Sequence, residues 1–561
     1  MIKKKWVADN STNLLADTLQ KETNLNKNLI RILINRGIDT KDKINEFLNP
    51  SLDNLFDPYL LKDMDKATKR INEAIKNKET VCIYGDYDVD GVTASAILIT
   101  YLRNKVGKII SYIPEREKEG YGLNLSAVEK IFNDGASLII TVDCGITSVI
   151  EAERIKELGM DLIVTDHHNC PETLPSCIAV INPKREGQEY PFSSLCGAGV
   201  AFKLVSALGE EDLTRYIAIA AIGTVADIVP LVSENRIIVY YGLKYLKNNK
   251  LKQITTLCDV AGVDIKDITT STLGFVIAPR INAAGRMGSA KDALMLLLSE
   301  DEAIIRNKAI LLNDINLKRQ ETEKEIYNQV KKTIEDNPEY TEKSIIVVAK
   351  EGWHEGVIGI VASKITEEYY KPCVLISMGE TCGRGSLRSI KGFDIFKALS
   401  SVSEHLVKYG GHELAAGLTV SKENYSYFKK AIEDYADKIV KEGSFMPELF
   451  IDGELMADEF NEKFVGEISR LEPFGLSNPQ PNFLIKDIDI INPVSFKENK
   501  HLRFTVKKEN AYAEAVGFNM GVFAPALKEN PDILAVGTVN INEYRGLRTF
   551  QIRIKDIKRK G

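Results

Sequence analysis

The feature that most constrains this chain is an alternation running from Thr80 to Asp166. The apolar, β-branched runs "TVCIYG", "KIISYI", "SLIITVD" and "DLIVTD" are separated by the helical patterns "VTASAILITYLRN", "NLSAVEKIFNDG" and "TSVIEAERIKELG". Strands joined through helices over short connections pair in parallel, so the region predicts an α/β fold with helices on both faces of a parallel sheet. Ligands of such sheets gather at the carboxyl ends of the strands. There the chain places "DYDVDG" (Asp86, Asp88, Asp90), then Asp143 followed by Cys144 and Gly145, then Asp166, His167 and His168. A further carboxylate, Asp227, lies in the otherwise apolar "TRYIAIAAIGTVADIVPL", where burying it alone would be costly.

Three aspartates at alternate positions repel one another unless something positive sits among them. Taken singly, each motif has an ordinary reading. "DYDVDG" could be a solvated turn or a calcium-type loop, "VDCG" a plain strand end, and Asp227 a residue at a capped helix end. Taken together, Asp86, Asp88, Asp90, Asp143, His167 and Asp227 form an oxygen-rich ligand set with imidazole and no thiolate pair. That set suits Mn²⁺ or Mg²⁺ better than zinc and is large enough for two ions. Two such ions activate water and stabilise the leaving oxygen in phosphoryl displacement. The eight cysteines contain no Cys-x-x-Cys pair, which argues against a disulfide framework or a structural zinc site.

The 561 residues, 44% hydrophobic and 27% charged, suffice for several cores, and three or four domains are expected. An N-terminal helical segment (1–60) precedes the α/β region (61–288). The stretch 289–340, polar and free of glycine and proline over most of its length, predicts one long linker helix. Alternation restarts over 341–446, and the tail, 447–561, reads as all-β, fitting a small closed barrel such as an OB-fold. No run of about 18 apolar residues occurs, and the lysines of "MIKKKWVADNSTNLL" precede no apolar core. A cytoplasmic protein with no membrane association is expected. The net charge of −6 gives no global sign of nucleic-acid binding, so any such surface must be a local stripe. "CGAGVAFK" lacks the P-loop spacing, which disfavours nucleoside-triphosphate hydrolysis.

"DYDVDG", "VDCG", "TDHH" and "GTVADIVPL", in this order, resemble the four motifs of the DHH phosphoesterase superfamily, and "GGHELAAG" resembles the motif of its DHH-associated companion domain. "IPEREKEGYGLN", "CGAGVAFK", "IAPRINAAGRM", "GWHEGVIGIVASK", "GSLRS" and "LEPFGLSNPQPNF" resemble the RecJ single-stranded-DNA-specific exonucleases, so the likeness covers nearly the whole chain. It implies a DHH phosphoesterase domain, a linker helix, a smaller α/β DHH-associated domain and a C-terminal OB-fold. The implied activity is metal-dependent hydrolysis of single-stranded DNA from its 5′ end, releasing mononucleotides in repair and recombination. A monomer is expected, with a helicase or single-strand-binding protein as possible partners. The family's ligands fall on Asp86, Asp88, Asp90, Asp143, His167 and Asp227, with His168 beside them.

Substrate contacts are implied for Arg116 and Tyr121 and for the phosphate-pocket residues Ser386 and Arg388, with Ser389 adjacent. Arg280, Asn282 and Arg286 fit either a nucleic-acid wall or helix capping and salt bridging. Gly411 and His412 lie where glycines permit close approach to a ligand. Trp353, beside His354, either stacks on a base or packs in a core. Asn313, Asn316, Gln320 and Glu323 share one helix face, read as solvated. Two positions depart from the family pattern: Leu387 and Ser477 each stand where a glycine is expected, in segments read as loops. The chain also ends after the β-rich tail, where some relatives carry a further domain, so weaker partner contacts are expected. A phosphodiesterase of very short oligonucleotides or cyclic dinucleotides is the alternative within the superfamily, disfavoured by the barrel and long middle section. A catalytically silent replication scaffold is the alternative outside it, disfavoured by the full ligand set.

Overall fold

The computed structural model describes residues 4–8, 13–116, 119–120, 122–248, 251–442, 445–529, 532–544 and 546–560. The chain forms two compact units, one comprising Trp6–Ala278, Leu294–Ile305 and Phe450–Gly561, the other Met1–Lys5, Pro279–Ala293 and Arg306–Leu449. Among the described residues, no helix is long and apolar enough to cross a membrane.

In the larger unit the alternating region folds as expected. Strands Lys108–Tyr112, Thr80–Gly85, Leu138–Val142, Asp161–Thr165 and Ala179–Ile181 lie side by side in that order, every neighbouring pair parallel. Every residue of Leu138–Val142 is buried, as continuous apolar runs require of a sheet covered on both faces. The first strand in sequence, Thr80–Gly85, sits between the second and the third, so the chain leaves it in one direction and returns on its other side. The crevice at that switch point opens at the carboxyl ends of Thr80–Gly85 and Leu138–Val142, the place where doubly wound sheets bind ligands. Helix Val89–Leu102 is buried over almost its whole length, because helices Gly197–Ala207 and Thr214–Ala226 cover it.

The ends of the chain meet within this unit. Leu29, Ile30, Leu33 and Ile44 of the N-terminal helices share one core with Phe464, Phe483, Leu502 and Phe504. Asn28 seals the junction, its amide donating to the Glu454 carbonyl at 2.8 Å and to both Glu459 carboxylate oxygens at 2.9 and 3.1 Å. Within the segment 1–60, Lys5–Ala8 is a strand, and the helices Asn13–Thr23, Lys27–Asn35 and Lys41–Leu48 pack on the C-terminal region. The tail forms a seven-stranded sheet running from Gly453–Glu454 at one end to Asp489–Phe496 at the other. Ser477 has φ +61, the left-handed conformation that explains why a glycine is expected there.

The smaller unit holds a mixed sheet in the order Lys408–His412, Ala415–Ser421, Cys382–Arg388, Cys373–Met378, Ile346–Glu351, parallel only between the last two. Three expectations change. Cys382–Arg388 is the central strand and not a loop, and Leu387 points into the core, fully buried. The long helix is two helices, Ala290–Leu298 and Glu302–Asp336, because Asp301 Oδ1 accepts from the amides of Ala303 and Ile304 at 2.8 and 3.1 Å and caps a new start. The face bearing Asn313, Asn316, Gln320 and Glu323 is solvated only at Gln320. Asn316 and Glu323 are buried around Arg319, which donates to Asn316 at 2.8 Å and pairs with Glu323. A buried arginine, absent from the spacing argument, is the reason.

Candidate metal centre

The "DYDVDG" turn opens helix Val89–Leu102. Asp88 is its N-cap, its Oδ1 accepting from the Gly91 amide at 3.0 Å. A Cβ on Gly91 would lie 2.5 Å from the Asp86 carbonyl oxygen and 2.7 Å from its carbonyl carbon, so the run closes with glycine because the helix start lies against the strand exit. Asp90, one residue into the helix, is buried, and its two oxygens accept from the amides of Gly197 and Ala198 at 2.5 and 2.8 Å. Those amides are the free N–H groups at the start of helix Gly197–Ala207, where an anion is favoured. The "CGAG" stretch thus holds a carboxylate, a use its failed P-loop spacing did not suggest. Asp143 follows its strand with φ +59, which aspartate tolerates better than most residues, and a Cβ on Gly197 would meet the Asp143 Cβ at 2.6 Å.

His167 joins the separate elements. Its Nε2 lies 3.0 Å from Asp143 Oδ1 and 3.7 Å from both Asp90 Oδ2 and Asp227 Oδ2, the last carried on the C-cap of helix Thr214–Ala226. Three overlapping groups result, each with ligand atoms within 4.8 Å of one another: Asp86, Asp88 and Asp143; Asp90, His167 and Asp227; Asp143, His167 and His168. All six expected ligands are together, and His168, expected only beside them, falls within the third group.

The electrostatics ask for a cation. Burial, and then the Asp88 charge, push Asp86 up to about 8. Burial with Asp90 and Asp88 does the same to Asp227, and burial first, then like charge, raises Asp143 well above the carboxylate range. Burial lowers His167, keeping its imidazole neutral as a ligand must be. Asp86 Oδ1 is buried with no hydrogen-bond donor among the described residues. A crowded set of buried carboxylate oxygens with neutral imidazole fits a hard divalent cation, Mn²⁺ or Mg²⁺.

One residue at this centre, Asp166, was placed at a strand end from the sequence but given no role there. Asp166, fully buried, accepts from the amides of Ile146, His167 and His168 at 2.9, 2.7 and 3.0 Å and from His168 Nδ1 at 2.7 Å. Burial opposes its ionisation, yet these bonds hold it below the ordinary aspartate value, and despite burial the same contact raises His168. With Nδ1 donating, His168 Nε2 is left as the acceptor nitrogen. The signal was present: Asp166 is the first residue after its strand, where a carboxylate meets the amides of its own turn.

The remaining candidates divide. The Arg116 guanidinium lies 5.3 Å from the Tyr87 ring centre and adds a favourable charge to Asp86. Tyr121 lies outside the described residues. In the smaller unit, Arg388 donates to Ser386 Oγ at 3.2 Å, and both lie against helix Glu355–Tyr369, where a Cβ on Gly359 would come within 2.8 Å of that hydroxyl and 3.2 Å of Arg388 Nη2. Ser389 Oγ donates to the Phe393 carbonyl at 2.6 Å, within its own turn. Arg280 and Arg286, on helix Ala278–Met287, donate to Asn313 and to the Gly356 carbonyl, each at 3.1 Å, and Asn282 is half-buried on the same helix. His354 caps helix Glu355–Tyr369, accepting from Gly356 at 3.1 Å. Trp353 is 5% exposed in the core and donates to Gln329, so it packs and offers no free face. Gly411 and His412 sit exposed at the end of the hairpin formed by Lys408–His412 and Ala415–Ser421.

The chain is similar to known proteins. Residues 80–224 match the DHH family, N-terminal domain, residues 342–438 the DHHA1 domain and residues 451–556 the RecJ OB domain. The single-stranded-DNA-specific exonuclease RecJ of Bacillus subtilis is 36% identical over 557 residues, covering 99% of this chain and 71% of its own. The chain belongs to the RecJ family. RecJ of Haemophilus influenzae is 32% identical over 537 residues, covering 91% of this chain and 93% of its own. The crystal structure of Thermus thermophilus RecJ in complex with Mn²⁺ superposes with a TM-score of 0.86 at 28% identity, over 99% of this chain and 80% of that one. The Mg²⁺ complex of the same protein gives 0.79 over 99% and 78%.

Proposed function

We propose that this chain is a metal-dependent exonuclease that hydrolyses single-stranded DNA from the 5′ end and releases mononucleotides. The observation that carries the reading is the convergence of five carboxylates and His167 on the switch point of a RecJ-family sheet. Asp86, Asp88, Asp90, Asp143, His167 and Asp227 would hold two Mn²⁺ or Mg²⁺ ions. When bound, such ions lower the pKa of water and offset the charge of the transferring phosphoryl group. The chain's own residues supply order: Gly197 and Ala198 fix Asp90, and Asp166 holds His168 by Nδ1 so that Nε2 stays an acceptor nitrogen able to face a cation beside Asp143 and His167. Ser386 and Arg388 hold the terminal 5′ phosphate, a guanidinium fork beside a hydroxyl being the arrangement such a group needs. The further substrate contacts we assign are Arg116, Tyr121, Arg280, Asn282, Arg286, His354, Gly411 and His412, and Ser389 shapes the turn after Arg388.

The domains we assign are 1–60, 61–288, 289–340, 341–446 and 447–561, the last guiding the single strand. A cytoplasmic monomer acting in repair and recombination, with a helicase or single-strand-binding protein as partner, completes the reading. The test is degradation of 3′-labelled single- and double-stranded DNA with Mn²⁺ and with Mg²⁺. Single strands should be shortened stepwise from the 5′ end, duplexes should resist, and chelation or Asp143→Asn should abolish turnover while far-UV circular dichroism is unchanged. Internal cleavage of a strand blocked at its 5′ end would overturn the assignment.

A further inference from the structure

Three consecutive polar residues, Glu234, Asn235 and Arg236, lie in the first turn of helix Ser233–Lys247, and all three are buried, at 0, 0 and 3% exposed. Burying such a turn costs stability unless its groups are paired. Each side chain reaches a different part of the larger unit. Glu234 accepts from the Phe56 amide and from Lys203 Nζ, both at 2.8 Å, and from the Tyr190 hydroxyl. Arg236 donates to the carbonyls of Leu471, Phe47 and Arg470 at 2.8, 3.1 and 3.2 Å. Asn235 Nδ2 donates to the carbonyls of Ser194 at 2.6 Å and Pro230 at 3.0 Å, while its own Oδ1 is buried with no donor among the described residues. A buried oxygen left unsatisfied lowers stability, so the NH₂ group is what this position uses.

The two carbonyls that Asn235 joins belong to the supports of two metal ligands. Pro230 is three residues past Asp227, and Ser194 is three residues before Gly197, whose amide, with that of Ala198, holds Asp90. Asp90 and Asp227 share one ligand group with His167, each lying 3.7 Å from its Nε2. The path from Asp227 to Pro230 has little slack. Ile228 has φ +57, a strained conformation for a β-branched residue, which persists only where the surroundings impose it. One residue beyond Pro230, the Leu231 amide donates to the Leu476 carbonyl at 2.8 Å. On the other side, Lys203 ties Glu234 to helix Gly197–Ala207, the helix whose first amides hold Asp90.

We propose that Asn235 is a positioning residue for the Asp90–His167–Asp227 group: its NH₂ bridge sets the spacing of Asp90 and Asp227, and Glu234 and Arg236 anchor the turn that carries it. The proposal rests on the metal-centre reading and adds a residue that acts on one ligand group through backbone. The group of Asp86, Asp88 and Asp143 is set by two strand exits and by the cap that Asp88 makes on its own helix, so it keeps its geometry without the bridge.

The test is calorimetric titration of the metal-free full chain with Mn²⁺, for which wild type should take up two ions. Asn235→Ala should weaken one of them about 10–100-fold and leave the other unchanged, the loss usual when a partner supporting a ligand is removed. With Asp88→Asn impairing the other group, the remaining site should weaken by the same factor. Asn28→Ala is the control, since Asn28 is a buried asparagine of the same unit that joins segments bearing no ligand. It should lower the urea midpoint and leave both Mn²⁺ affinities alone, which is all that a merely structural role at Asn235 would do. If Asn235→Ala does not fold, Asn235→Ser, which keeps one donor, takes its place and should show the same selective loss. A folded variant with wild-type affinity at both sites, or with equal loss at both, would overturn the proposal. A wild-type chain that binds no Mn²⁺ would overturn the metal-centre reading itself.

Discussion

Replacing Asp166 by asparagine isolates the least conspicuous member of the metal centre. The side chain keeps its size, and its carbonyl oxygen can still take the three donors that now reach Oδ1: the amides of His167 and His168 and the His168 ring. The other position then presents an NH₂ group to the Ile146 amide, which now donates to Oδ2 at 2.9 Å in a buried site. Leaving that donor unpaired costs about 1–3 kcal/mol, and converting three charge-assisted bonds to neutral ones costs roughly 1 kcal/mol each. The lower cost of burying an amide offsets part of this, leaving a net loss of about 3 kcal/mol. Flipping the amide offers no escape, since NH₂ would then face two backbone donors and the His168 ring. Because His168 loses the charge that fixes its tautomer, Mn²⁺ affinity should also fall about 10–100-fold. Equilibrium urea denaturation and titration calorimetry with Mn²⁺ measure the two effects. An unchanged urea midpoint together with wild-type Mn²⁺ affinity would refute the argument that Asp166 organises the centre.

Gly91→Ala should lower Mn²⁺ affinity at least about ten-fold with little change in far-UV circular dichroism, because the new methyl group would strike the Asp86 backbone and displace the turn; calorimetry reads this directly. Leu387→Gly should destabilise the protein by about 3–5 kcal/mol in urea, through a void in the core and a more flexible central strand. Arg388→Ala should reduce the preference for 5′-phosphorylated over 5′-hydroxyl single strands about ten- to hundred-fold, measured on matched 3′-labelled oligonucleotides; an unchanged ratio would place phosphate recognition on Arg116 or Arg280.

The sequence by itself determined the parallel sheet, since a strand buried on both faces must be apolar throughout and a parallel neighbour must be reached through a helix. It also determined that Asp86, Asp88, Asp90, Asp143 and His167 stand at strand ends, which is where such a sheet binds. Local chemistry decided these features, and local chemistry is legible in a run of a dozen residues. Only the tertiary structure decided that Asp227, some 60 residues beyond His167, brings its carboxylate within 3.7 Å of that imidazole, or that the "CGAG" amides close on Asp90. The same holds for the core shared by the first 50 residues and the C-terminal sheet, and for the burial of Asn316 and Glu323 around Arg319. Periodicity reports which face of an element is apolar or polar, not which distant element covers it. Where a polar face is covered by a partner with matching hydrogen bonds, its pattern is the same as that of a face turned to water.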